Sequence, residues 1–358
     1  MTRIIKSCFL VFISLLISIP AFAAEPFELH LIDVGQGQSV LIEADNHYML
    51  IDGGGRISSS YVVAYLKQQG VNHLDYAAVS HYDEDHMSGL IGALSVFACD
   101  GILVPPYPGD GDLYKSFAAA AVSNGGIVFH PECDWTFQLG NAVVEVVGPM
   151  SSQYENDNDE SLVFRITYGN TAYLITGDAE QQSEMDMINS GKPMTADVYV
   201  AGHHGSRSSS TDPFLDSVSP VYGLISCGTG NTYGHPAMET LQRFRQRGIK
   251  MFRTDLQGTV IVFSDGDTIW FSTEACDDWT AGSAAESEKT SRLTPGMDET
   301  SVSETVEDIY ICNTNTKKFH LPTCRSVGEI KPENRMDSDL SRDELIAEGY
   351  KPCKNCNP

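Results

Sequence analysis

Three apolar runs in this chain each end in metal-ligand side chains, a pattern that few folds can satisfy. The first, Tyr76-Ala77-Ala78-Val79, leads into His81-Tyr82-Asp83-Glu84-Asp85-His86. The second, residues 172–175, leads through Thr176 and Gly177 to Asp178. The third, residues 198–201, leads through Gly202 to His203-His204-Gly205-Ser206. Buried strands hold side chains rigidly at their ends, so groups from distant segments can converge on two cations about 3.5–4 Å apart. Each cluster also has a plainer use. Asp83 to Asp85 suit the N-terminus of a helix over 87–95, and Asp178 suits the N-cap of a helix beginning near Ala179. Paired histidines after a strand are seldom a core feature, because adjacent side chains point to opposite faces, and one or both of His203 and His204 read as ligands. Occurring together, in this order, the clusters define one metal centre.

The surrounding pattern supplies the scaffold. Alternating runs at 27–34, 39–43 and 47–52 read as an opening β meander, with Gly35 and Gly37 in its first turn. Helical patterns follow near 60–69, 88–96 and 111–123, then strands at 142–147, 162–168 and 171–177 and a helix near 179–189. β-rich, α, β-rich, α suits two sheets packed face to face with helices outside.

His-x-Asp-x-Asp-His, Gly-Asp and His-His-Gly-Ser together are similar to the metallo-β-lactamase-fold hydrolases. Within them the chain resembles the C-terminal domain of bacterial competence DNA-uptake channel proteins, through Asp33-Val34-Gly35-Gln36-Gly37-Gln38-Ser39, Leu50-Ile51-Asp52-Gly53-Gly54, Asn158-Asp159-Glu160-Ser161-Leu162-Val163 and Tyr233-Gly234-His235-Pro236. The resemblance covers roughly residues 27–273. It implies a four-layered αββα sandwich with the site at one edge, and phosphodiester cleavage with extracellular DNA as substrate. His81, Asp83, Asp85, His86, Asp178, His203 and His204 would hold one or two divalent metals, zinc first and manganese second, that ionise water near neutral pH. Asp83 or Asp85 would orient that water. His235 would protonate the leaving group or hold an oxyanion, or else be a plain loop histidine before Pro236. Asp52, in a Gly-rich turn, reads as a hydrogen-bonding tie between loops.

Three departures from the family pattern stand out. Many superfamily members carry His where Asp83 stands, and the competence branch carries Asp where Gln38 stands. No His lies near Asn158, leaving Asn158 or Asp159 as the substitute ligand and the first metal position short of a donor.

Charge narrows the partners. The chain carries a formal net charge of −25, and residues 25–275 hold 11 Lys and Arg against 32 Asp and Glu, a net of −21. That balance opposes tight non-specific DNA binding, which depends on Lys and Arg displacing counterions. It does not exclude a nuclease, because bound cations dominate the local field in a metal site. Arg207, Arg243, Arg245, Arg247, Lys250 and Arg253 form a local basic group, either a phosphate path or a solvated helix face. Residues 1–24, with Arg3 and Lys6, an apolar stretch and Pro20-Ala21-Phe22-Ala23-Ala24, read as a secretory signal peptide, with an uncleaved N-terminal anchor as the alternative. The expectation is a secreted protein with no transmembrane segment in the mature chain.

The composition turns to Ser, Thr and Glu over 276–307, an acidic linker after a hydrolase domain over 25–275. The tail, 308–358, carries His320, Cys324, Cys353 and Cys356, a Cys3His set for one structural zinc. It resembles the small metal-binding domain of the Ada DNA-repair protein. His320 stands where that protein uses Cys, so a methyl-accepting role is not implied. Disulfides are the alternative use of these thiols. Cys99, Cys133, Cys227, Cys276 and Cys312 remain, with Cys99–Cys133 one pairing to test. Other readings of function are a cell-surface phosphoesterase on wall-polymer substituents such as phosphocholine, and a non-catalytic DNA-binding module.

Overall fold

The computed structural model describes residues 26–282 and, in the tail, 310–320, 326, 327, 330, 331, 334–338, 345 and 348–353. The signal-peptide residues and most of the acidic linker lie outside the described residues. The chain divides into a unit over 1–288 and a unit over 289–358, each described by itself.

In chain order the first unit lays down β1 (Phe27–Leu31), β2 (Val40–Ala44), β3 (His47–Ile51), α1 (Ser59–Gln68), β4 (His73–Ala78), α2 (Glu84–Val96), β5 (Ala98–Leu103), α3 (Gly111–Asn124) and β6 (Ile127–Phe129). It continues with β7 (Thr136–Leu139), β8 (Ala142–Gly148), β9 (Val163–Tyr168), β10 (Thr171–Ile175), α4 (Gln181–Asn189), β11 (Val198–Val200), α5 (Asp212–Val218) and β12 (Tyr222–Ile225). It closes with α6 (Met238–Arg247), β13 (Lys250–Arg253), the short α7 (Thr254–Gln257), β14 (Val260–Ser264) and β15 (Ile269–Phe271). One sheet has eight strands in the order β15-β14-β1-β2-β3-β4-β5-β6, and the other has seven in the order β13-β12-β11-β10-β9-β8-β7.

Strand alternation builds the layers. Met49 and Ile51 of β3 face the core between the sheets, and Leu50 faces the cluster that includes Val62 and Leu66 of α1 and Leu90 of α2. Tyr173 and Ile175 of β10 likewise face inward, and Leu174 packs outward with Phe214 of α5 and Phe244 of α6. The result is a mixed α/β sandwich of four layers, αββα. β3 through β6 run parallel, as do β10 through β13. Each parallel set sends its strand-end loops to one edge, where α/β folds place their sites.

Three elements differ from the sequence-based boundaries. β1 ends at Leu31, because Asp33 accepts the Gly35 N–H at 3.1 Å and turns the chain. α2 begins at Glu84, earlier than expected, after Asp83 in an extended conformation. Both readings of that segment therefore hold, since Glu84 and Asp85 lie in a helical first turn and still follow a strand. β11 is only three residues, and the histidine pair follows in a turn rather than on the strand.

Backbone contact between two glycines docks α2 on the loop after β3. The Gly53 N–H donates to His86 O at 2.7 Å and the Gly89 N–H to Gly54 O at 2.9 Å. A Cβ on Gly89 would overlap the Gly53 carbonyl. Gly89→Ala is therefore expected to destabilise the unit by about 2–3 kcal/mol, read by urea unfolding; unchanged stability would refute this packing.

The first unit extends beyond residue 275. Trp279 and Ala281 pack on the outer core, Cys276 N–H donates to Met251 O at 2.7 Å, and Gly282 N–H donates to Pro236 O at 2.9 Å. Composition made 276–282 look like linker because the segment is held mainly through its backbone. The basic group is largely spent inside the fold. Arg247 pairs with Asp212 at 2.8 Å and Asp216 at 2.7 Å, Arg253 forks onto Asp255, and Arg243 donates to backbone carbonyls of 207, 209 and 210. Cys99 and Cys133 form no disulfide.

The tail unit has a four-stranded sheet in the order β18-β16-β17-β19, from β16 (Tyr310–Asn313), β17 (Lys318–His320), β18 (Arg335–Ser338) and β19 (Lys351–Pro352). Cys353 N–H donates to Phe319 O at 2.9 Å, bringing His320 and Cys353 to adjacent strand ends. His320 Nδ1 is buried without a hydrogen-bond partner. Cys324 and Cys356 lie outside the described residues.

Candidate metal centre

Asp178 stands where the three strand-end loops meet. Its Oδ1 lies 3.2 Å from His86 Nε2, and its Oδ2 lies 3.4 Å from His204 Nε2, 3.7 Å from His203 Nε2 and 4.0 Å from His81 Nε2. Asp85 Oδ2 is 3.4 Å from His204 Nε2, which is 3.2 Å from His86 Nε2. Asp83 Oδ2 is 3.7 Å from His81 Nε2, with its carboxylate largely exposed. Two overlapping ligand sets share His86: His81, His86 and Asp178, and Asp85, His86 and His204. All seven residues singled out from the sequence are thus brought together.

The group fits a divalent cation. His81 Nε2 and Asp178 Oδ1 are buried and make no hydrogen bond, although other donors stand 3–4 Å away. Buried polar atoms are normally paired, and bare ones facing each other across such gaps suit an ion. The imidazole and carboxylate set accepts zinc or manganese.

Electrostatics agrees. Burial alone would raise the Asp178 carboxyl, but the imidazoles of His204 and His86 outweigh it and hold it well below the usual range. Asp85 is likewise held low by His204 and His86 against its burial. Burial would lower the His86 imidazole, and Asp178 and Asp52 instead hold it well above normal.

A surrounding shell fixes these rings. Asp52 Oδ2 lies 2.8 Å from His86 Nδ1 and accepts from Gln38 Nε2 at 2.9 Å and Ser80 Oγ at 2.8 Å, and Oδ1 accepts the Ser80 N–H at 2.7 Å. Asp52 is the hydrogen-bonding tie expected, and it also orients a ligand, as outer carboxylates do for metal-bound histidine. β3 and β4 are parallel neighbours with Ile51 opposite Ala78, which sets Asp52 beside Ser80. His204 Nδ1 lies 3.0 Å from Ser226 O, leaving Nε2 for the centre.

The turn at Gly202–Gly205 makes the histidine pair work. His203 has φ 47° and His204 φ 55°, both left-handed. Non-glycine residues pay of order 1 kcal/mol for that backbone. It turns both imidazoles toward Asp178, whereas a strand would have split them. Their roles differ: His204 is buried and converges through Nε2, and half-buried His203 gives Nδ1 to Glu180 Oε1 at 2.8 Å. His235 packs edge-on to His203 at 5.4 Å, has a bare buried Nδ1, and is drawn down to about 4 by burial and by His204 and His203.

Asp159 is not a substitute ligand. Its Oδ1 accepts the N–H groups of Glu180 at 2.9 Å and Ser183 at 3.0 Å, capping α4 from another loop. That frees Asp178 from the capping use that the sequence also allowed. Asn158 donates Nδ2 to Glu180 Oε1 at 3.3 Å rather than offering its oxygen to the centre. Glu180 was missed by sequence reasoning, although its place two residues after Asp178 was a usable signal.

Glu184 of α4 holds the chain beyond the histidine turn by accepting the N–H groups of Ser210 and Thr211. Burial pushes its carboxyl up to about 7. A raised folded-state value means that the native state binds the proton more tightly than the unfolded chain. This group's contribution therefore falls as pH rises from about 4.5 to 7, by an amount on the order of 2–3 kcal/mol. Glu184→Gln is expected to flatten the pH dependence of melting between pH 5 and 8; an unaltered slope would refute it.

With the edge loops and their donors in place, comparison with known proteins defines the class. The metallo-beta-lactamase superfamily profile matches residues 32–229, and the chain belongs to that superfamily. It is 34% identical over 230 residues to the competence protein ComA of Neisseria gonorrhoeae, covering 64% of this chain and 31% of that one. It is 27% identical over 264 residues to the ComE operon protein 3 of Bacillus subtilis, covering 69% of this chain and 34% of that one. The chain thus spans about a third of the length of these relatives. Among solved structures, the metallo-beta-lactamase fold protein YhfI from Bacillus subtilis aligns at 15% identity and TM-score 0.45, over 69% of this chain and all of that one.

Proposed function

We propose that this chain is an exported, metal-dependent phosphodiesterase that cleaves DNA. The observation that carries it is the convergence of buried His81, His86, Asp178 and His204 with Asp85 at a loop edge, two of their atoms bare. When bound, one or two divalent ions supply Lewis-acid charge and ionise water near neutral pH. His81, His86, Asp178, Asp85 and His204 hold that charge in place. His203, braced by Glu180, closes one side. Asp83, exposed at the mouth beside His81, accepts a proton from attacking water. His235 faces the same cluster and, as a neutral imidazole, donates an N–H to a developing oxyanion.

The substrate reading leans on the names of the competence relatives, and export on residues 1–24. Among the described residues no helix is long and apolar enough to cross a membrane. The acidic surface leaves electrostatic capture of a polyanion to the metal site and to exposed arginines near it, Arg207 beside the histidine turn and Arg56, whose backbone N–H meets Glu84. In the tail, His320, Cys324, Cys353 and Cys356 would bind one structural zinc.

Protein stripped with chelator and reloaded with zinc or manganese is expected to cleave single- or double-stranded DNA and bis-p-nitrophenyl phosphate, with activity lost again on stripping. Cleavage of the small diester alone would replace the DNA reading with a wall-polymer phosphoesterase. DNA binding without any turnover would replace it with a non-catalytic module.

A further inference from the structure

A second group of ligand-type side chains lies on the outer face of the eight-stranded sheet, at the end of β1 remote from the Asp33–Gln38 turn. Phe27, Leu29 and Leu31 of β1 point into the core between the sheets. Glu28 and His30 therefore share the opposite face. Across the antiparallel pair, Glu28 stands directly opposite Glu43 of β2. Like charges in that relation repel, yet the fold places both beside a fully buried imidazole. His30 Nε2 lies 2.9 Å from Glu28 Oε2, and one ligand atom from each of Glu28, His30 and Glu43 falls within 4.8 Å of the others.

Those spacings match a metal shell. Neighbouring donors around an octahedral ion with bonds of about 2.1 Å sit about 3 Å apart, and opposite donors about 4–5 Å apart. The outer contacts match as well. Tyr65 Oη of α1 lies 2.8 Å from His30 Nδ1, and Tyr48 Oη donates to Glu43 Oε1 at 3.2 Å. Partners on the far side of a ligating imidazole and carboxylate are what set ring orientation in metal sites. Without a metal, His30 bridges Tyr65 and Glu28 by hydrogen bonds. Nε2 already faces Glu28, and Glu43 completes a group whose ligand atoms lie within 4.8 Å of one another, so a cation can enter with little movement.

We propose that Glu28, His30 and Glu43 form a second divalent-cation site, separate from the centre at Asp178, that ties β1 and β2 to α1. One imidazole and two carboxylates suit a manganese- or zinc-type ion. Its role is structural: it cancels the repulsion of a cross-strand glutamate pair and stabilises the folded state by linkage.

Manganese is the probe, because thiolates in the tail suit it poorly. In the full chain carrying His86→Ala and Asp178→Ala, one equivalent of Mn2+ is expected to remain by equilibrium dialysis. Its electron spin echo spectrum should show coupling to a single imidazole nitrogen. Adding Glu28→Gln and Glu43→Gln, half-exposed and of equal shape, should remove that equivalent together with the Mn2+-induced rise in melting temperature. In the otherwise unaltered chain, the same two substitutions should lower Mn2+ content by one equivalent and leave diester hydrolysis in place. Equal Mn2+ content with and without the glutamine pair, in protein whose circular dichroism is unchanged, would overturn the site. So would retained Mn2+ with no imidazole coupling.

Discussion

Asp178→Ala is expected to lower kcat/KM for bis-p-nitrophenyl phosphate on the order of 10^3-fold in manganese- or zinc-loaded protein, and to reduce metal content in parallel. Its two oxygens are the atoms that face His86, His204, His203 and His81, at 3.2–4.0 Å. Four imidazoles lose their shared counter-charge when it goes, so cations are held poorly and a transition state gains little from them. The fold should survive, because Asp178 lies beyond the end of β10, and α4 is capped by Asp159 instead. Circular dichroism and metal analysis on the same sample separate loss of chemistry from loss of structure. Full activity with full metal content would remove Asp178 from the centre and the proposed mechanism with it.

Asp52→Ala is expected to be the most destabilising substitution near the site, at about 3–5 kcal/mol. Ser80 N–H, Ser80 Oγ, Gln38 Nε2 and His86 Nδ1 all converge on its buried carboxylate. Removing the acceptor leaves several buried donors unsatisfied at once, and one of them is the imidazole held above its ordinary pKa partly by Asp52. Asp52 also has φ 58°, which asparagine tolerates and alanine does not. Asp52→Asn keeps the backbone conformation but sets an NH2 against the Ser80 N–H or the donors on Oδ2, so it should recover only part of that stability while weakening metal affinity about 10–100-fold through the lost charge beside His86. Urea unfolding and competition for zinc read the two effects apart. Undiminished zinc affinity in Asp52→Asn would mean that Asp52 serves shape alone.

Much of this was legible in the chain. Unbroken apolar runs at 49–51 and 172–175 are what strands with two buried faces require, and the structure packs Ile51 and Ile175 inward with Leu50 and Leu174 outward. Ligand types after each run announced a centre, because the capping use open to any one cluster does not account for three of them together. The basic group read as a phosphate path or a solvated helix face, and the guanidiniums of Arg243, Arg247 and Arg253 are instead engaged within the protein.

The sequence by itself therefore determined the order of elements, the layers and the ligand inventory, because those depend on local periodicity and residue type. Tertiary structure alone decided which histidine converges and which is braced, through a left-handed turn that no propensity rule assigns to His203 and His204. It also decided that Asp159 caps α4 so that Asp178 is free, that Asp52 orients His86, and that 276–282 packs on the first unit. Such choices depend on contacts between residues 20 to more than 100 positions apart, as His86 and Asp52 or His86 and His204 show. Linear pattern carries no record of which distant partner a polar group will meet once the sheets have closed.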